Sequence, residues 1–196
     1  MGTGRIARQL IVRCRRVVGV DRAPAMLAIA RDHLERIAPG RWELHRADVT
    51  ALPVASGQAD VAIAGWVFGH LRYERADEWR DAIGRAIAEM DRALQPGGTL
   101  IVIETLGTGR ETPHPPSPEL AEYFAWLEGE QGMRRDVIRT DYAFPDAETA
   151  AVATGFFFGA EFAARVREHN WARIPECTGL WSRARRSAPH GIQTSR

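Results

Sequence analysis

The sequence contains no lysine; all 26 basic side chains are arginine, a compositional bias that carries no function by itself. Charge of neither sign is in excess. With 25 acidic side chains the net charge is +1, which argues against a nucleic-acid partner, because phosphate backbones are held by concentrated basic surface. Cysteine is nearly absent. Cys14 and Cys177 are the only two, and neither lies in a pair with metal-ligand spacing. They read as ordinary thiols of a reducing compartment, not as half-cystines or zinc ligands. No apolar run reaches the ~18 residues of a membrane span, and no charged segment followed by an apolar core opens the chain as a signal peptide would. A cytoplasmic location is the expectation, with no membrane partner. Internal repeats and low-complexity segments are missing too.

What is present is a globular composition, 45% hydrophobic and 26% charged over 196 residues, long enough to bury roughly 70% of its unfolded surface. The expectation is a single domain over residues 1–183 with a frayed tail at 184–196. The organising stretch is Val17-Val18-Gly19-Val20-Asp21. A short apolar run ending in an acid reads as a buried parallel strand with a carboxylate at its C-terminal edge, placed to accept both hydroxyls of a ribose. Gly2-Thr3-Gly4-Arg5 upstream reads as a close-approach turn feeding a first helix over residues 5–13, roughly the 20 residues ahead of the acid that such sites show.

Down the chain, Pro24 starts a helix that Pro39-Gly40 stops, and residues 42–46 and 59–65 read as strands. A long helix is expected over residues 77–94, then a tight turn at Pro96-Gly97-Gly98 and a strand over 99–104. Residues 107–118, rich in Gly, Pro and Thr, read as a loop or lid. Helices over 119–131 and 160–169 and strands over 137–141 and 173–182 complete the reading. Alternation of this kind means a largely parallel α/β sheet. The late strands suit an antiparallel edge at the C-terminus.

Five pieces, in order, carry a resemblance: Gly2-Thr3-Gly4-Arg5, Val18-Gly19-Val20-Asp21, Arg46-Ala47-Asp48-Val49, Ala59-Asp60-Val61 and Leu94-Gln95-Pro96-Gly97-Gly98-Thr99-Leu100. Together they resemble the class I S-adenosylmethionine-dependent methyltransferases of the small-molecule type, over roughly residues 2–105. The stretch 175–181 is similar to the closing strand of one branch. The resemblance implies a Rossmann-like sheet with helices on both faces, S-adenosyl-L-methionine as cofactor and a small-molecule acceptor. By the same resemblance Gly2 and Gly4 approach the methionine moiety, and Asp21, with Arg22 beside it, takes the ribose. Met26 lies against adenine, Asp48 and the Val49 amide read the adenine edge, and the Gly65 carbonyl meets the cofactor amine. Family members precede the glycine turn with a central strand. Here that first central strand is missing, so an N-terminally truncated chain with a gap in its sheet is expected.

Each of these residues also has a plainer role: Asp21 as a helix cap, Asp48 as a turn former, Met26 as core. His70 follows the fourth family strand and is the candidate general base, with capping or packing as its ordinary alternative. Glu104, His114 and Tyr142 are weaker candidates of that kind. Residues 107–132, with Trp126, are expected to cover the acceptor. Phe156-Phe157-Phe158 reads as edge packing or the wall of an acceptor site, and Arg183, Arg185 and Arg186 read as a solvated tail. A truncated, non-catalytic relative is the rival function. A dinucleotide oxidoreductase ranks last, since residues 2–7 lack the third glycine of its fingerprint.

Overall fold

The structure is a computed structural model that describes residues 1–185. Its elements run α1 (Arg5–Leu10), β1 (Val17–Asp21), α2 (Pro24–Ile37), β2 (Trp42–Arg46), β3 (Ala59–Gly65), α3 (Phe68–Glu74), α4 (Trp79–Ala93), β4 (Leu94–Thr108), α5 (Pro118–Gly129), β5 (Arg134–Arg139), β6 (Tyr142–Ala143), α6 (Ala147–Glu168), β7 (Arg173–Ile174) and β8 (Glu176–Ala184). This is the mixed α/β class that the alternation demands. The described residues form two compact units: residues 1–102 with 182–185, and residues 103–181. β4 and β8 each contribute to both.

In the first unit β1 and β2 pair in parallel, Val17 opposite Trp42 and Asp21 opposite Arg46. Pro24 occupies the first turn of α2, where its missing N–H costs nothing. Leu27, Ala30 and Leu34 recur at helical spacing and are buried. A small core forms where Leu34 and Ala38 meet Ala7 and Ile11 of the α1 region, with Val17, Trp42 and Leu44 packed against it. α4 buries Trp79, Ile83, Ala86, Ile87 and Met90 on one face and packs on β3.

The β1–β2 ladder ends at β1. Among the described residues β3 is not paired with it, but opens a second sheet beside β4. Parallel strands are normally covered on both faces, yet Val18 of β1 and Val61 of β3 remain 40% and 48% exposed. The Met1 ammonium donates to the Val20 carbonyl at 2.9 Å on β1, and the Ile6 side chain lies against Gly65 of β3.

Two expectations for the end of the chain change. Arg183 is not solvated: its side chain is 8% exposed and its guanidinium donates to both Asp91 oxygens, at 2.8 and 2.6 Å. Residue 184 still belongs to β8, and the Arg185 N–H donates to the Gly98 carbonyl at 2.8 Å. Arg186 and the rest of the tail lie outside the described residues. Removing one member of a buried ion pair strands the other, so Arg183→Ala is expected to lower stability by about 3 kcal/mol in urea unfolding, whereas a solvated arginine would change it by less than ~0.5 kcal/mol.

In the second unit β8 lies between β4 and β5. The C-terminal strand is therefore interior, and the rim belongs to β5, because residues 176–179 are buried while all six β5 residues are exposed. β6 and β7 form a separate antiparallel pair. Trp181, wholly buried, stacks on Phe124 at 4.6 Å between ring centroids. α6 begins at Ala147, well before the expected 160, with Asp146 capping it through the Thr149 N–H. Gly159, at φ 86°, breaks it. Phe156 and Phe157 are 85% and 77% exposed, so they pack no edge.

Candidate functional site

The candidate site lies in the first unit. The parallel register of β1 and β2 brings their C-terminal ends to one edge, with Asp21 there and Asp48 two residues beyond β2, and the charges of both act on Arg22. Gly65 ends β3. Asp21 Oδ1 accepts the Ala23 N–H at 2.9 Å, the cap role that its position before Pro24 allows. Asp21 Oδ2 accepts the Gly2 N–H at 2.7 Å and pairs with the Met1 ammonium at 3.3 Å. The two halves of the motif, glycine turn and acid, are thus bonded to each other.

Burial of Asp21 acts to raise its pKa, but the N–H groups of Ala23 and Gly2 and the neighbouring ammonium outweigh it and hold the carboxyl below its usual value of 3.8. A carboxyl depressed in the folded state stabilises above its unfolded pKa, and that stabilisation is lost as pH falls through the folded value. Asp21→Asn is therefore expected to cost about 1–2 kcal/mol at pH 7. The gap to the parent chain should close in urea titrations below pH 3.8.

Asp48 follows β2 on an exposed turn. Its Oδ1 accepts the Thr50 hydroxyl at 2.6 Å and the Thr50 N–H at 2.9 Å. These bonds, with smaller help from the charge of Arg22, hold its carboxyl low. The plain turn-forming role is thus real, and only one oxygen is committed to it in these bonds. Val49 beside it is half-buried. Arg22 donates to Glu74 of α3 at 2.6 Å, with its own side chain 65% exposed. Met26 is 41% exposed on the first turn of α2, which rules out the core role.

Gly2 and Gly4 sit at φ 56° and 81°, left-handed values that favour glycine. The turn they form is anchored to α2: Ala30 packs on Gly4, and the Thr3 carbonyl meets His33 Nδ1 at 3.0 Å. Arg5 and Ile6 follow. Ile6 reaches Gly65 so closely that a methyl there would fall 2.5 Å from its Cδ1. The Arg5 guanidinium lies 4.0 Å above the Trp66 ring. That pairing escapes sequence reading; its traces are the arginine directly after the turn and the tryptophan directly after the strand's last glycine.

His70 is exposed on α3, one turn ahead of Glu74, and adds to the positive charge that lowers the Glu74 carboxyl after Arg22 has done most. Glu104, His114 and Tyr142 belong to the second unit. Glu104 there is buried. Burial pushes the Tyr123 phenol well up, and the Glu104 carboxylate pushes it the same way.

The donor set fits a nucleoside-bearing cofactor. A carboxylate offers about four acceptor positions, so Asp21 retains capacity beyond its backbone bonds. Asp48 adds an acceptor, Met26 an exposed apolar surface, and beyond Gly2 and its two chain neighbours no atom lies within 4 Å of the position a methyl would take on Gly2. A parallel α/β sheet with acids and a glycine turn at its strand ends defines the class of Rossmann-like cofactor-binding domains.

The chain belongs to the methyltransferase domain family, whose model matches residues 1–102. A demethylmenaquinone methyltransferase of Thermus thermophilus is 38% identical over 107 residues, 53% of this chain and 43% of that protein. A malonyl-[acyl-carrier protein] O-methyltransferase of Serratia marcescens is 31% identical over 108 residues, 55% of this chain and 36% of that protein. The chain thus spans less than half the length of these curated relatives. In fold it is similar to the YcgJ protein of Bacillus subtilis, with a TM-score of 0.61 at 12% identity, covering 95% of this chain and 89% of that one. It also resembles the [4+2]-cyclase SpnF, with a TM-score of 0.53 at 20% identity over 95% of this chain and 73% of that one. Among the described residues no helix is long and apolar enough to cross a membrane.

Proposed function

We propose that this chain transfers a methyl group from S-adenosyl-L-methionine to a small-molecule acceptor. The observation that carries the reading is Asp21, fixed at the edge of β1 by the glycine turn itself, with Asp48 at the end of the next strand. The bound cofactor supplies an electrophilic methyl on a sulfonium that leaves as a thioether. Asp21 accepts the ribose hydroxyls, with Arg22 beside it. Met26 covers the adenine face, and Asp48 with the Val49 N–H reads the adenine edge. The Gly2 and Gly4 backbone and the Gly65 carbonyl hold the amino-acid end. Catalysis is then mainly alignment of donor and nucleophile. His70 takes the acceptor's proton where the acceptor carries one, and its exposure lets it pass that proton to water. Residues 107–132 are assigned the selection of acceptor on their composition. The +1 net charge supports no nucleic-acid partner, and the location proposed is cytoplasmic.

Equilibrium dialysis tests this reading. Saturable retention of S-adenosylmethionine, with none of a nicotinamide dinucleotide, is the expected result. The interrupted ladder between β1 and β3 favours one other reading, a non-catalytic relative that keeps the fold. Folded protein that retains neither ligand would establish it.

A further inference from the structure

We propose that Arg5, held over the ring of Trp66, is the ligand for the carboxylate at the amino-acid end of the cofactor, an assignment that rests on the methyltransferase reading. Three observations converge on it. The guanidinium sits 4.0 Å above the indole ring. The ring holds the cation in place by its negative face without consuming its charge, and a guanidinium is a fork of N–H donors that matches the two oxygens of a carboxylate. Among the described residues Arg5 makes no ion pair, in contrast to Arg22, Arg92, Arg139, Arg167 and Arg183, each of which is on a carboxylate. The charge is positioned but not neutralised.

The second observation is location. Arg5 follows Gly4 of the turn directly, and its neighbour Ile6 lies against Gly65. An α-amino acid presents its ammonium and carboxylate on one carbon. An ammonium held at the Gly65 carbonyl would leave the carboxylate on the same carbon near the next residue, Trp66, and the cation over its ring. The third is backbone conformation. Trp66 has φ 51°, a left-handed value at a bulky residue. Such strain costs of the order of 1–3 kcal/mol and persists where the surroundings over-determine it, commonly at ligand sites. Here it occurs at the residue carrying the platform for the guanidinium.

The test titrates two ligands into the full chain: S-adenosylhomocysteine, and 5′-methylthioadenosine, which keeps the adenosine and thioether but lacks the amino-acid end. Arg5→Ala is expected to weaken S-adenosylhomocysteine about tenfold, as loss of a solvent-accessible charge-assisted pair does, and to leave 5′-methylthioadenosine unchanged. Unchanged binding of the second ligand also reports that the variant's pocket is intact. Arg8→Ala, which removes the same charge from the same helix, should leave both affinities at the parent values. The inference is overturned if Arg5→Ala alters neither ligand or both equally, or if Arg8→Ala weakens S-adenosylhomocysteine as much. If the parent chain binds neither ligand, the methyltransferase reading itself fails and the assignment goes with it. Binding of both by the parent with no effect of Arg5→Ala sinks the assignment alone.

Discussion

Asp21→Asn is expected to weaken S-adenosylhomocysteine binding roughly a hundredfold, the largest effect on function of any single change in the site. A ribose diol presents two O–H donors, and a charged acceptor receives each at about 1.5–3 kcal/mol. An asparagine keeps the shape but presents one carbonyl and one amide, so it accepts one hydroxyl and turns an N–H towards the other. The structure adds a second term. Asp21 Oδ2 also holds the Gly2 N–H at 2.7 Å, so the substitution loosens the glycine turn that the amino-acid end of the cofactor needs. Calorimetric titration of the variant checks this. An affinity within about threefold of the parent would mean that Asp21 serves only as the cap for Ala23.

Trp181→Ala is expected to lower the stability of the chain by about 3–5 kcal/mol, the usual cost of emptying a buried aromatic site. Trp181 has no exposed surface, stacks on Phe124 at 4.6 Å and donates its indole N–H to Glu128 at 3.0 Å. All three belong to the second unit, whose buried set also includes Tyr123 and Leu127. Trp181→Phe keeps most of the volume and loses the hydrogen bond, so about 1–2 kcal/mol is expected. Urea midpoints for the two variants separate packing from hydrogen bonding. A loss below about 1 kcal/mol for the alanine variant would contradict the placement of Trp181 in that core.

The parts of this fold that sequence makes legible are those where one signal dominates. β1, β2 and β3 occupy the residues their composition marks, 17–21, 42–46 and 59–65, because β1 and β3 are mainly small and β-branched apolar residues ended by Asp or Gly, and β2 alternates Trp42 and Leu44 with polar residues. Pro24 and Pro39 bracket α2. The missed elements carry competing signals. Residues 68–74 hold too few apolar positions for a helical period, and α3 passes unnoticed between two strong neighbours. The first half of α6 mixes alanine and threonine with Gly155 and Gly159, so its helical character is masked until Asp146 is seen to cap it. Pro96-Gly97-Gly98 looks like a turn and instead lies within β4, with Gly97 absorbing a φ of 79°.

Long-range pairs are the other hidden class. Arg183 reads as one of a basic tail because its partner, Asp91, lies 92 residues earlier. The stack of Arg5 on Trp66 is invisible for the same reason. The site acids were legible as acids at strand ends. Their engagement was not: nothing in the sequence says that Gly2 bonds to Asp21, or that Thr50 takes one oxygen of Asp48.

The central claim is that the strand ends of the first unit form a binding site for the sulfonium cofactor in this chain as it stands, despite the break between β1 and β3. Calorimetric titration of S-adenosylhomocysteine into the 196-residue chain tests it most directly. A single saturable site with affinity in the micromolar range, about −8 kcal/mol, is expected. A folded chain giving no heat beyond dilution at millimolar ligand would contradict it, and would leave a family fold whose cofactor site is closed.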